Sequence, residues 1–191
     1  MSIVKLEGIA ELHSRTIDDP PLSRFLFADT WLMIWVWLGL RLWIGLEWLQ
    51  AAIFKIDNPL WVENGVALKH LWNYALQAPM ATPPSLVNDG TMQTLQWMLN
   101  HEWYVWLAPT LVYTELLLGL ALCFGAFVGI TAFVGAVLNW SFIMLGFGHL
   151  NALLLVGSIL LMLAWKTAGY IGMDFFLLRW LGVPWRNREE A

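Results

Sequence analysis

Apolar positions along the chain run in long blocks rather than alternating with polar ones, and four blocks reach membrane-crossing length. A helix needs about 20 mostly apolar residues to cross a bilayer. Residues 31–53 ("WLMIWVWLGL…"), 104–124 ("YVWLAPTLVYTELLLGLALCF"), 127–147 ("FVGITAFVGAVLNWSFIMLGF") and 150–168 ("LNALLLVGSILLMLAWKTA") meet that requirement. Only "GA" near 125 and "GH" near 148 separate the last three, which predicts antiparallel neighbours. The expected fold is all-α: an integral membrane four-helix bundle, with amphipathic interfacial helices in a long outer loop and at the termini.

Between the first two blocks the pattern changes to helical periodicity. In "NPLWVENGVALKHLWNYALQAP" the apolar positions Leu60, Trp61, Ala67, Leu68, Leu71, Trp72 and Ala75 predict an amphipathic helix, on the membrane surface or capping the bundle. "MATPPSLVNDG" is a turn-rich break, and "TMQTLQWMLNHEWY" a second short amphipathic piece. The tail "GYIGMDFFLLRWLGVPW" reads as an interfacial helix ended by Pro184. The organisation is thus an N-terminal segment 1–30, a four-span domain 31–185 with its outer loop at 54–103, and a short tail 186–191.

Composition supports the membrane reading. The chain is 59% hydrophobic and 13% charged over 191 residues, about half the charge of a soluble domain. Its 14 tryptophans suit the membrane–water interface. Cys123 is the single cysteine, which excludes an intrachain disulfide and a thiolate cluster. The net charge of −4 gives no case for nucleic acid. The segment 1–30 is interrupted by acidic residues and lacks an apolar core with a cleavage site, so it is expected to be a cytoplasmic segment and no signal peptide, partly an interfacial helix stopped by Pro20 and Pro21. Lys5, Arg15, Arg24, Lys166, Arg179, Arg186 and Arg188 flank one side, against Lys55 and Lys69 in the long loop. The positive-inside rule then places both termini in the cytoplasm and the long loop outside.

Charges inside the spans are the first candidate functional groups. Counting residues along each span puts Arg41 about ten residues into the first and Glu115 about eleven into the second, which run in opposite directions. A lone charge at that depth costs at least ~2.5–3.5 kcal/mol, so the two are expected to pair, with Asn139 of the third span completing the set. Gly45 and Gly119, one turn further along, suggest close helix approach. The pair reads as a structural pin or as a substrate-facing or proton-handling group. Glu47 is expected nearer the outer surface, either in an ion pair with Lys55 or as a carboxylate beside a quinone. His101 and Glu102, with Trp48, Trp103 and Tyr104, would supply the hydrogen-bonding groups and aromatic walls of such a site. The four histidines are isolated and show no metal spacing, so no metal is expected.

Three stretches together, "LRLWIGLEWLQAAIFKIDNPLWVENGVAL", "TELLLGLALCFGAFVGITAFVGAVLN" and "LAWKTAGYIGMDFFLLRWLGVPW", resemble the DoxX/DoxD family of small prokaryotic membrane proteins. Arg41, Lys55, Asn58, Pro59, Glu115, Lys166, Gly169 and Asp174 carry the likeness, and the tryptophan-rich outer loop is more similar to the DoxD branch. The resemblance implies a membrane subunit of thiosulfate:quinone oxidoreductase, working with a DoxA-like subunit and passing electrons from an outer-face substrate to a bound quinone. The alternative is a non-catalytic accessory subunit of a larger respiratory or photosynthetic complex, packing against other membrane subunits and lipid. A permease or channel fits less well, because one internally paired charge set leaves little for a hydrophilic path.

Overall fold

Apolar residues spaced three and four apart set the helices. In a computed structural model of the chain, which describes residues 31–77, 89–147 and 149–180, every regular element is helical and no strand occurs among these residues. The N-terminal segment, the proline-rich break of the long connection and the tail end at Pro184 lie outside the described residues. The elements are α1 (Trp31–Ile56), α2 (Pro59–Val62), α3 (Val66–Gln77), α4 (Asp89–Asn100), α5 (Tyr104–Phe124), α6 (Val128–Met144), α7 (His149–Leu163), α8 (Trp165–Gly169) and α9 (Asp174–Trp180). Helices α1 and α5 are long and apolar enough to cross a membrane; α6 and α7 are shorter apolar helices.

Helix α1 buries one stripe, Met33, Trp37, Arg41, Ile44, Gly45, Trp48 and Ala52, and packs it chiefly on α5. Two glycines set the register of that antiparallel pair. A Cβ on Gly45 would meet Cys123 and Leu122, and one on Gly119 would meet Leu49. The backbones can approach this closely only because neither position carries a side chain. Helices α6 and α7 form the second tight pair, and α7 also leans on α1, where Gly157 faces Ile44. One core cluster fills the bundle, including Trp37, Ile44, Trp48, Leu118, Leu122, Ala132 and Leu161.

The long connection folds back over one end of the bundle as a cap, one of the two arrangements its periodicity allows. Asn58 accepts a hydrogen bond from Leu60 N (3.0 Å) and Pro59 opens α2; Asn64 does the same for Val66 N (3.0 Å) at the start of α3. Both side chains satisfy amide groups at a helix start that have no partner inside the helix, Asn58 as the N-cap of α2. Gly65, with φ +66°, sits against the Tyr104 carbonyl where a Cβ would overlap it. Leu68, Trp72 and Ala75 of α3 and Leu95 of α4 then close a second core over Tyr104, Ala108 and Leu145. We call this the loop end, and the opposite one the terminal end.

At the terminal end α5 stops at Gly125 (φ +68°), with Ala126 N donating to Ala121 O and Gly125 N to Leu122 O. This is the left-handed helix ending that glycine favours. The block expected at 150–168 is not one helix: it breaks at Ala164 (φ −93°, ψ 16°) into α7 and α8.

Candidate functional site

The charged groups inside the bundle form two separate assemblies, neither of them the pair expected from sequence. At the loop end Lys55 Nζ donates to both oxygens of Glu115, at 2.5 and 2.6 Å. Glu115 is 1% exposed and Lys55 17%. The ammonium also lies 5.1 Å from the Trp61 ring and 5.7 Å from the Phe142 ring, within cation–π range. At the terminal end Arg41 donates from Nη1 to Ala168 O (2.6 Å) and from Nη2 to Ile171 O (2.8 Å). Beside it Asp174 accepts from Phe127 N (2.5 Å) and Val128 N (2.8 Å) at the start of α6. A cation on terminal carbonyls and an anion on the first amides of a helix each match the local backbone dipole.

The expected Arg41–Glu115 pair is therefore corrected, and so is the Glu47–Lys55 pair. Both helices were counted from their own starts, but α1 overhangs α5. Gly45 lies level with residues 122–123, which puts Arg41 beside the turn after α5 and Glu115 beside the last two turns of α1. The glycines that suggested the pair argue against it. In antiparallel helices "one turn further along" points in opposite directions, and with Gly45 against residues 122–123 and Gly119 against Leu49 the two charges lie about twelve residues, or ~18 Å, apart. Asn139 is fully buried but takes no hydrogen bond from either charge. Glu47 instead accepts from Trp43 Nε1 at 3.1 Å on its own helix.

A cavity of about 540 Å³ surrounds the Lys55–Glu115 pair. Its polar lining is Glu47, Gln50, Lys55, Glu115 and Asn151, and its walls include Trp48, Phe54, Leu71, Phe142, Phe147 and Leu154. A second cavity of about 440 Å³, mainly apolar with Thr91, Thr94 and Ser141 as its polar lining, has Leu68, Trp72, Leu107, Leu111 and Leu145 among its walls. Phe142 lines both, and the α5 face that ends at Glu115 passes Leu107 and Leu111.

The residues expected to form one quinone site divide between two places. Glu47 and Trp48 line the large cavity. His101 and Glu102 are exposed in the turn before α5, and Glu102 has φ +55°. Trp97 stacks near both His101 (4.5 Å) and Trp103 (5.2 Å), and the buried Tyr104 ring faces Lys69 Nζ at 5.0 Å. By the α1–α5 register Glu47 is level with residue 121 or so, some 17–20 residues from this group, or ~25–30 Å along the bundle. One ring cannot touch both.

Sequence reasoning missed Lys55 as the partner of Glu115 and Asp174 as the partner of the α6 amides. The signal for the first was present: α1 must outlast its apolar block to reach Asn58, so Lys55 still belongs to the helix. Asp174 had no such signal beyond its place in the resemblance. Burial pushes the Asp174 carboxyl above its ordinary value, outweighing the two amide donors and the Arg41 charge that pull it down. Among the described residues no three His, Cys, Asp or Glu side chains gather as a metal site. No protein-family model, curated protein or solved structure matches the chain.

Proposed function

We propose that the chain is a four-span membrane protein whose loop-end cavity holds the ring of an amphipathic, quinone-like molecule, as the membrane-embedded subunit of a quinone-linked oxidoreductase. The observation that carries this reading is the Lys55–Glu115 pair at the wall of an aromatic-lined cavity. A ring with carbonyl oxygens needs a hydrogen-bond donor, a proton-exchanging group and flat apolar walls; the ammonium, the carboxylates of Glu115 and Glu47, and Trp48, Phe54 and Phe142 are those types. The second, mainly apolar cavity, which Phe142 also lines, offers room for a hydrocarbon tail.

The membrane part of the proposal rests on where the apolar surface lies. Trp35, Leu46 and Phe54 of α1, Leu117 and Phe124 of α5, Ile130 and Val137 of α6, and Leu153 and Val156 of α7 are all exposed. A water-soluble protein rarely leaves apolar faces of that extent open on every long helix. The bilayer would cover them, with the terminal end toward the cytoplasm by the count of flanking basic residues. The residues behind the DoxX/DoxD resemblance also work in groups, Lys55 with Glu115 and Arg41 with the Gly169–Asp174 segment, which supports that family reading. Lys55 is occupied by Glu115 and Lys69 faces Tyr104, so an anionic outer substrate would need a site on a DoxA-like partner.

One observation favours the accessory-subunit reading: at the start of α1, Trp31 and Trp35 form an exposed edge-to-face pair (5.5 Å) suited to a partner subunit. The test is a titration of the full chain in nanodiscs with a short-tailed benzoquinone, read by tryptophan quenching. Saturable quenching that weakens at least tenfold in Glu115→Gln supports the cavity site. No saturable binding, together with stoichiometric co-purification of a cytochrome or pigment complex from native membranes, would leave the accessory role.

A further inference from the structure

One turn beneath the cavity, toward the middle of the bundle, three side chains are buried with polar atoms that have no hydrogen-bond partner among the described residues. They are Trp48 Nε1, the Oδ1 and Nδ2 of Asn139, and Ser158 Oγ, and the three residues are at most 3% exposed. They come from three helices, α1, α6 and α7: Trp48 and Ser158 both lie against Gly135 of α6, and Asn139 follows one turn along the same helix face. The Cβ that Gly135 lacks would sit 3.4 Å from Trp48 Nε1 and 3.7 Å from Ser158 Oγ. Asn139 is the next residue on the same face of α6, one turn closer to Phe142, whose ring lies beside Lys55. Leu154, one turn before Ser158, lines the cavity together with Trp48.

Buried polar side chains nearly always find a partner, and three orphans within about one helical turn of Gly135 point to a shared guest. The chemistry of the set defines it. Trp48 only donates, Asn139 donates twice and accepts, and Ser158 does both. None carries a charge; in the cavity above, Lys55 and Glu115 neutralise each other and Glu47 accepts from Trp43 Nε1 on its own helix. We propose that Trp48, Asn139 and Ser158 form a buried site for a neutral oxygen that can both accept and donate hydrogen bonds. Two sources have that chemistry: an ordered water, which characteristically makes about three hydrogen bonds in such places, and the carbonyl or hydroxyl oxygen of a molecule in the cavity above. Gly135 keeps the space open, and the site extends the cavity into the core of the bundle as a wet, uncharged pocket. The water source is independent of the proposed function; the ligand source rests on it.

The test uses the full chain in nanodiscs with ¹⁵N-labelled tryptophan, the Trp48 indole resonance being assigned by Trp48→Phe. Magnetisation exchange between water and the indole proton in the ligand-free protein, lost in Gly135→Ala and weakened in Ser158→Ala, assigns the oxygen to water. That result stands even if no quinone binds. A resonance silent toward water that shifts on saturation with a short-tailed benzoquinone, with the shift abolished in Gly135→Ala, assigns the oxygen to the ligand. An indole that neither contacts water nor responds to quinone, or that is indifferent to both substitutions in folded protein, overturns the site. Ser158→Ala is nearly isosteric and keeps the test decisive if Gly135→Ala fails to fold.

Discussion

The two charged assemblies use similar ingredients and do different things. At the terminal end Arg41 and Asp174 direct their charges at backbone: one carbonyl in the last turn of α8 and one just after it on one side, two amides at the start of α6 on the other. Of their polar atoms only Arg41 Nε is buried without a partner among the described residues, and Gly125 is pressed against the guanidinium and Gly169 against the carboxylate. At the loop end Lys55 and Glu115 satisfy each other rather than the backbone, next to a large cavity and one turn above three unpartnered polar groups. A charge bonded to main chain fixes the architecture. A charge bonded to another side chain, beside open volume, can be rearranged by a guest.

That contrast sets the order of expected effects. Arg41→Ala is the most damaging single change, because it strands two carbonyls and leaves Asp174 buried without a nearby cation. Leaving a buried charge uncompensated in this way costs ~3–5 kcal/mol. The variant should lose most of its detergent-stable folded yield, and Arg41→Lys should recover only part, since an ammonium cannot fork to two carbonyls. Lys55→Met should cost somewhat less, about 3 kcal/mol, by leaving the Glu115 carboxylate without a partner. The double variant Lys55→Met with Glu115→Leu should regain most of that stability while remaining unable to bind quinone. A matching rescue at the terminal end by Arg41→Met with Asp174→Leu should fail, because the backbone groups would still lack partners. Thermal unfolding in one detergent compares all five.

The same contrast explains what the sequence could reveal. The all-helical class and the extent of α5 follow from apolar block length, and α3 from its 3.6-residue period, because burial of a continuous face is a local property of the chain. The partners of Arg41 and Glu115 are not local. They depend on how far α1 slides past α5, and no residue inside either block states that offset. The glycines state it only once the antiparallel sense is carried through. The cavity was half legible: Glu47 and Trp48 belong to it, whereas His101 and Trp103 stack with Trp97 in the turn before α5, where Glu102 is exposed. Ser158 and Gly135 came together with Trp48, and Lys55 with Glu115, only in three dimensions.

Glycine positions sharpen the offset argument at a smaller energy. A Cβ on Gly119 would lie 2.6 Å from Leu49 Cγ and 2.8 Å from Leu49 N, so α1 and α5 must part to admit it. Gly119→Ala should therefore cost ~1–3 kcal/mol. On Gly157 the nearest atom is Ile44 Cδ1 at 2.7 Å, the free end of a flexible side chain, so Gly157→Ala should cost less. Equal melting shifts for the two would mean that the α1–α5 seam is not set by backbone approach. Gly119→Ala should also weaken quinone binding, because it displaces Glu115 one turn away, and Gly157→Ala should not.

The smallest effect tests whether the terminal end is as settled as its hydrogen bonds suggest. Asp174 lies beyond the last long apolar helix, and burial holds its carboxyl above the ordinary value near ~3.9 despite two amides and Arg41. A carboxyl raised in the folded state stabilises the fold fully below its unfolded pKa, and that contribution is lost as pH rises through the folded value. In Asp174→Asn the titration is gone, and the amide oxygen can still accept one of the two N–H groups, as a protonated carboxyl would. The melting-temperature advantage of the native chain over Asp174→Asn should therefore be greatest near pH 4 and should narrow toward pH 7. An advantage that widens with pH would mean that the amides and Arg41 outweigh burial. The terminal end would then resemble the loop end, as a charge pair held by its partners, and not a carboxyl held by the fold.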